Sequence, residues 1–390
     1  MPNTTPFWYL GILSAFSLLT FDLYQPALPT ITTYFNTTQA LGQLTLSLFF
    51  LIFGLSQLVW GPLIDHFGRR HTLQASLLIF FLATLGCIFS KNIEMLIIAR
   101  IVQGFAVCCA NVVAFSSSRD QDDSTDRARV ISYISMIVSV SPIFAPLIGS
   151  VIFTQYGWQA TFVLMALLSV FLLISAKFTL KESPHWQPSQ ESFLFRTSLA
   201  SYKKILSHRR LWIGIFIITA SYSCVMIVIV TASYLIIENL NYSPFTFAVA
   251  FGINGSMLIV GNYIGIKLRE KKSLPWNIHL GSLLMISGSF IMLILFNIEG
   301  LSLITLVPVL IICLGISITN PPTFSLALSD YHQEAATATA IINTIRMTVA
   351  AIVAGILGSV IVYRPQMLAI SLLICSIVCW FLSLFIFEKN

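Results

Sequence analysis

Twelve stretches of roughly twenty apolar residues, parted by charges or by Pro/Gly clusters, constrain this chain more than any other feature of its sequence. An α-helix rises about 1.5 Å per residue, so about twenty residues cross the roughly 30 Å of hydrocarbon in a bilayer. In the first half the runs cover 7–29, 42–64, 72–90, 93–117, 130–154 and 158–179. In the second half they cover 211–237, 245–267, 277–297, 301–328, 336–362 and 367–387. Strands of a membrane barrel would be about ten residues long and alternate in hydrophobicity, and neither pattern occurs. Length alone would suit two or three soluble domains, but 57% of the 390 residues are hydrophobic, only 9% are charged, and mean hydropathy is +0.88. A typical soluble domain is about 25% charged. The same shortage of polar surface argues against a soluble enzyme, a nucleic-acid binder or a disordered scaffold. Many runs still carry polar residues, which suits helices that line a cavity rather than meet lipid all round.

Loop charges orient the chain. With the N-terminus placed inside, the cytoplasmic loops hold Arg69 and Arg70, then Arg119, Arg127 and Arg129, then Lys177, Lys181, Arg196, Lys203, Lys204, Arg209 and Arg210. Lys267, Arg269, Lys271, Lys272 and Lys389 complete seventeen of the chain's 21 basic residues on that side. The other side keeps Lys91 and Arg364, while Arg100 and Arg346 fall inside runs. Basic residues collect in cytoplasmic loops, so both termini are expected inside, and the net charge of +6 reads as a topology signal. Trp8, Trp60, Trp158, Trp212 and Trp276 lie near helix ends, where interfacial indoles are expected. No basic segment precedes the first run as in a cleaved signal, so that run is expected to be retained.

Six runs precede, and six follow, a polar stretch containing Glu182, Pro184, Pro188, Gln190, Glu191, Lys203 and Lys204. The expected organisation is an N-terminal six-helix bundle over 1–180, a cytoplasmic linker over 181–210 and a C-terminal six-helix bundle over 211–390. Such symmetry suits a transporter with a site near the bilayer midplane, though other membrane proteins share it. All seven cysteines (Cys87, Cys108, Cys109, Cys224, Cys313, Cys375 and Cys379) fall within runs without metal-ligand spacing and read as small packing residues. The acidic run Asp120–Asp126 lacks the glycine and terminal Glu of an EF-hand and reads as a solvated loop. No Walker lysine motif and no nucleophile–His–acid set occurs, so an ATP-powered or enzymatic role is not expected and no metal or organic cofactor is implied.

Four segments carry chemistry. Between runs two and three stands Gly61-Pro62-Leu63-Ile64-Asp65-His66-Phe67-Gly68-Arg69-Arg70. Its glycines permit a tight turn, Asp65 can pair with a basic group or a helix N-terminus, and Arg69 and Arg70 add inside charge. A plain basic turn is the alternative. Run four holds Arg100-Ile101-Val102-Gln103-Gly104. An arginine inside a span is costly unless paired or hydrated, and is therefore a functional candidate, with snorkelling toward Lys91 and Asn92 as the alternative. Run five reads Ser141-Pro142-Ile143-Phe144-Ala145-Pro146-Leu147-Ile148-Gly149-Ser150, small residues and prolines that allow close helix approach and bending in any bundle. Run one contains Asp22 in Phe21-Asp22-Leu23-Tyr24-Gln25-Pro26-Ala27-Leu28-Pro29. Desolvation penalises the charged form of a buried carboxylate, so Asp22 is the foremost candidate for proton exchange. The alternative puts it at the outer interface, solvated, because Pro26 and Pro29 end the helix nearby.

The Gly61–Arg70 loop resembles the signature loop of the major facilitator superfamily, with His66 where the family usually has Arg. Arg100, Gln103 and Gly104 resemble its R-x-x-Q-G segment, and Pro146 and Gly149 keep part of the motif of its drug:proton antiporters, with Ser141, Ala145 and Ser150 in place of glycines. The D-x-Y-x-P-A-L-P stretch from Asp22, and the Arg119–Asp120 pair, resemble the Bcr/CflA group of bacterial drug-resistance transporters. The resemblance implies an all-α integral membrane protein of twelve transmembrane helices in two pseudo-symmetric six-helix bundles. It further implies a monomer in the cell inner membrane that exports small amphipathic molecules by proton antiport and alternating access. Asp22 and Arg100 would couple the proton, which is the only coupling species. Gly61, Asp65, Gly68, Arg69 and Arg70 would form a conformational latch, and Pro142, Pro146 and Gly149 the antiporter motif. Polar residues placed to line the cavity are Tyr24, Gln25, Gln103, Asn111, Tyr222, Asn254, Asn320, Asn343 and Arg346, each equally able to join helices. Asn343 and Arg346 share a helix face. The same fold can instead move a siderophore or nutrient, outward or by symport inward, and a non-transporting receptor or channel would show no saturable counterflow.

Overall fold

The computed structural model describes residues 5–117, 124–183, 206, 209–329, 331 and 335–385. The Arg119–Asp120 pair, the side chains of the Asp120–Asp126 run, and residues 184–205 of the linker lie outside the described residues. In the first half the helices are α1 (Phe7–Asp22), α2 (Leu28–Tyr34), α3 (Gln39–Phe67), α4 (Arg69–Ile88), α5 (Ile93–Ser116), α6 (Ser124–Tyr156) and α7 (Trp158–Thr179). In the second half they are α8 (Arg209–Ser233), α9 (Pro244–Arg269), α10 (Leu274–Glu299), α11 (Leu303–Leu306), α12 (Val309–Ala327), α13 (Ala335–Ile361) and α14 (Gln366–Leu384). A 3₁₀ turn, Gln25–Ala27, joins α1 to α2, and a π turn, Tyr234–Asn239, extends α8. Among the described residues 12 helical segments are long and apolar enough to cross a membrane, counting α1 with α2, α8 with its π turn, and α11 with α12 as single spans.

Helix starts follow local chemistry. Thr38, Asn92, Ser243, Ser273 and Ser302 each accept a backbone N–H from the first turn of the helix that follows, satisfying one of the donors that every helix start leaves unpaired. Asn36 and Asn241 take positive φ of 48° and 57° in the turns after the first and seventh spans, a conformation asparagine tolerates better than most residues. Within the spans, many hydroxyls are satisfied by their own helix: Thr84 donates to the Phe80 carbonyl at 2.7 Å, Ser169 to Ala166 at 2.7 Å, and Thr231 to Ile227 at 2.7 Å. Such back-bonding lets polar residues sit at membrane depth without water.

The chain divides into two compact units, 1–198 and 199–390. In the first, the fourth span (α5) packs against the first, second and third, while α1 also packs on α6 and α4 on α7. In the second, the tenth span (α12) packs against α8, α9 and α10, while α8 also packs on α13 and α10 on α14. These five pairings recur when the chain is shifted by six spans, while α8 packs closely on α14 in the second unit where α1 barely meets α7 in the first. Six cysteines are buried and Cys375 is partly so. Two of the indoles expected at an interface are instead packed inside: Trp60 donates its Nε1–H to the Phe105 carbonyl at 2.6 Å, and Trp158 lies against Tyr34, Phe35 and Phe162.

Candidate functional site

The first span breaks where its carboxylate sits. Pro26 has no N–H to give the Asp22 carbonyl, so the α-helical ladder fails there. The Tyr24 N–H turns to the Phe21 carbonyl at 3.3 Å instead of that of Thr20. The Thr20 carbonyl is left to accept from Nη1 of Arg100 at 3.4 Å. The chain resumes as α2, five residues beyond the run read from hydropathy, because Thr32 and Thr33 bond back to Leu28 and Pro29 and hide their hydroxyls.

Asp22 is 0% exposed. Its Oδ1 accepts from Gln25 Nε2 at 3.2 Å and its Oδ2 from the Ser141 hydroxyl at 3.4 Å. The outer carbonyl oxygen of Gln25, Oε1, is buried beside it with no hydrogen-bond partner. Sequence reasoning noted Ser141 only as a small residue standing for glycine. Its chemical role appears once α6 is laid against α1, and that approach depends on Gly149. A Cβ there would collide with the Leu23 carbonyl oxygen and come within 3.0 Å of the Leu23 Cα. Pro142 and Pro146 lie inside α6 without ending it, on the stretch facing this break.

Arg100 is also 0% exposed, so its guanidinium does not snorkel to the interface. Nη1 donates to Gln103 Oε1 at 2.9 Å as well as to Thr20. Its Cζ stands 4.3 Å from the Phe49 ring centre, 4.7 Å from Tyr24 and 5.9 Å from Phe162. Rings around a desolvated cation supply attraction through their negative faces. Gln103 passes the network on, donating to Thr84 Oγ1 at 2.7 Å and accepting from Cys87 Sγ at 3.4 Å. Tyr24 closes the cage, its hydroxyl 2.9 Å from Thr45 Oγ1. Nε and Nη2 of Arg100 remain buried and unpaired, and no ion pair joins Arg100 to Asp22. The two charges are held by separate hydrogen-bond sets on either side of the helix break. Phe49, Phe162 and Thr20 carried no signal in the sequence, since apolar or hydroxyl residues in a span look alike until the helices are packed.

The remaining candidates fall into smaller groups. Asn111 accepts from Ser14 at 2.8 Å in the first unit. In the second, Asn254 donates to Ala250 at 2.9 Å and lies 3.9 Å from Cys313 Sγ. Asn320 Oδ1 accepts from Ser221 at 2.5 Å, and Arg346 stacks on Tyr222 with its Cζ 4.3 Å from the ring centre. Asn343 is half-buried on the same helix as Arg346.

The loop after α3 turns on Gly68, whose φ of +83° disfavours any side chain. Asp65 is exposed near the end of α3, and Gly61 has open space around it. The carboxylate at the N-terminus of α4 comes from Glu182, read from sequence only as part of the linker. Its Oε2 accepts from the Arg69 N–H at 2.7 Å and its Oε1 from the Arg70 N–H at 2.9 Å. Arg69 Nη2 donates to the Ser116 carbonyl at 3.0 Å, and Arg70 Nη2 donates to the Lys177 carbonyl. The loop therefore ties the ends of α5 and α7 to the start of α4.

Each of the two units thus carries an arginine within its membrane-length helices, and the first also carries a fully buried carboxylate. The fold is that of the D-xylose-proton symporter, which superposes with a TM-score of 0.78 over 98% of this chain and 97% of that one at 16% identity. Residues 10–354 match the Major Facilitator Superfamily, and the chain belongs to that family. It is 28% identical over 361 residues to an "uncharacterized transporter" of Rickettsia bellii (strain RML369-C), covering 87% of this chain and 86% of that protein. It is 24% identical over 374 residues to the multidrug resistance protein MdtL of Shigella dysenteriae serotype 1 (strain Sd197), covering 94% and 91%.

Two consequences are measurable in purified protein. Gly149→Ala should lower stability by about 1–3 kcal/mol through overpacking against Leu23, seen as a lower thermal unfolding midpoint in detergent; an unchanged midpoint would show that α1 and α6 have room to part. Glu182→Gln, which leaves one amide oxygen for two N–H donors, should cost about 1 kcal/mol at the helix start, read as faster hydrogen exchange in a peptide spanning Arg69 and Arg70.

Proposed function

We propose that this transporter is a proton-coupled antiporter that exports small amphipathic molecules, drugs among them, by alternating access, as a monomer in the cytoplasmic membrane with both termini inside. The observation that carries the reading is Asp22, a carboxylate with no solvent exposure at the break of the first span. A carboxylate is kept at such a place at a cost, and loading it with a proton is the cheapest way to relieve that cost. The multidrug-resistance name of the Shigella relative supports export.

The polar neighbours of Asp22 serve both of its forms. Ionised, it accepts from Gln25 and Ser141. Protonated, it needs one acceptor, and turning the Gln25 amide by half a turn brings the unpaired Oε1 where the NH₂ group stood. The hydroxyl of Ser141 can likewise accept as well as donate. Proton arrival therefore changes the charge of the site while leaving its hydrogen bonds made. In the proposed cycle Asp22 takes up a proton in the outward-open state as substrate leaves. Release of that proton on the inner side readies the site for the next substrate. Arg100, fixed on its aromatic cage, holds a constant positive charge near this variable negative one. The Gly61–Arg70 loop acts as the conformational latch of the cycle, with Glu182 holding it in register.

Asp22→Asn keeps the size and the hydrogen bonds but cannot cycle a proton. In proteoliposomes with a pH-sensitive dye inside, it should lower substrate-driven proton movement by at least about tenfold. Normal coupled transport by this variant would sink the assignment. The direction of the dye response separates export by antiport from import by symport.

A further inference from the structure

The two arginines buried in the spans are held differently. Arg100 has carbonyl and amide acceptors on Nη1 and is 0% exposed. Arg346, on α13, makes no hydrogen bond and no ion pair among the described residues, and its Nε is buried without a partner. Two aromatic rings stand by its guanidinium: Tyr222 of α8 with the ring centre 4.3 Å from Cζ, and Phe324 of α12 at 5.7 Å. Its side chain keeps some exposure, where Arg100 has none. The eleventh span begins at Thr337, which puts Arg346 about 14 Å along the helix from that end at 1.5 Å per residue. That depth is away from lipid headgroups.

A guanidinium at such depth with no counter-charge is expensive, and cation–π attraction offsets only about 0.5–2 kcal/mol of the cost. A ring stacked on a guanidinium covers its face and leaves its edge, where the N–H donors point, for a planar bidentate acceptor. Further donors stand nearby in the fold. Asn343 lies three residues before Arg346 on the same face and is half-buried. Asn320, four residues before Phe324 on α12, uses Oδ1 on Ser221, the neighbour of Tyr222, which leaves its NH₂ group to give.

We propose that Arg346, backed by Tyr222 and Phe324, receives a carboxylate on the transported molecule, so that substrates carry an anionic group beside an aromatic or apolar body. This rests on the transport reading above and adds the substrate class. The anion completes the coordination that the protein leaves open, and the rings that hold the guanidinium flat also offer an apolar wall to the body of the substrate.

Equilibrium binding to the full-length protein purified in detergent tests this without a proton gradient. Radiolabelled salicylate serves as the aryl carboxylate and salicylamide as its neutral match. Wild type should bind salicylate saturably and at least about tenfold more tightly than salicylamide, the difference expected for a charge-assisted bidentate contact. Arg346→Gln should erase that preference. Arg346→Lys, which keeps the charge and loses the fork, should retain part of it. Phosphatidylglycerol added to the detergent should not displace salicylate, which separates a solute site from a headgroup site. Salicylate binding that survives Arg346→Gln with its preference intact, equal binding of acid and amide by wild type, no saturable salicylate binding by wild type, or displacement by the lipid would overturn the proposal. Because no gradient is applied, these outcomes are independent of the counterflow result for Asp22→Asn: either reading can fail while the other stands.

Discussion

The first unit is organised around the cost of holding a guanidinium where there is no water. Arg100 is the largest side chain among the fully buried ones, and each group it touches is placed by another feature. A carbonyl freed by the failure of one helical hydrogen bond takes Nη1. A glutamine one turn along the same helix takes it too, and three rings from three other segments enclose the plane. Buried charges in spans are tolerated when partners surround them, and the partners here come from backbone, amide and π-face rather than from a carboxylate. That leaves Asp22, the fully buried carboxylate of the unit among its described residues, uncommitted to an ion pair with Arg100.

The break in the first span links the two. A proline four residues after Asp22 removes the donor for the Asp22 carbonyl, the Tyr24 N–H goes to the Phe21 carbonyl, and the released Thr20 carbonyl goes to Arg100. Sequence, backbone geometry and electrostatics are one chain of causes here. A straight helix through Pro26 would have used the Thr20 carbonyl internally, and Arg100 would have lost one of its two acceptors. Discontinuous helices at charged sites are a general device of membrane transporters, because irregular backbone is affordable only where something polar uses it.

The division between what the residues announced and what they hid has a physical basis. Span number and span position were legible because hydropathy over about twenty residues is a sum, insensitive to any one side chain. The special status of Asp22 and Arg100 was legible because charge is rare in hydrocarbon. Their partners were not. Ser141 and Thr20 are small hydroxyl residues of the kind that spans contain by the dozen, and Phe49 and Phe162 are two of the chain's 30 phenylalanines. Only helix packing tells which ones converge. Glu182 was hidden by its surroundings: it opens a polar stretch and so reads as linker, yet both its oxygens are committed to the first turn of α4. Likewise Trp60 and Trp158 sat near span ends in the sequence but packed inward, because an indole buries well once its N–H or its ring edge finds company.

The clamp at Glu182 also changes where force enters the first unit. The covalent path from the sixth span to the rest of the molecule runs through this residue, and its carboxylate grips two successive amides of a different helix. A pull on the chain past Ser183 is therefore shared between the end of α7 and the beginning of α4 rather than borne by α7 alone. The polypeptide connection between the six-helix units is anchored like a rope made fast to two posts, and tugging it tends to move the third and sixth spans as a pair.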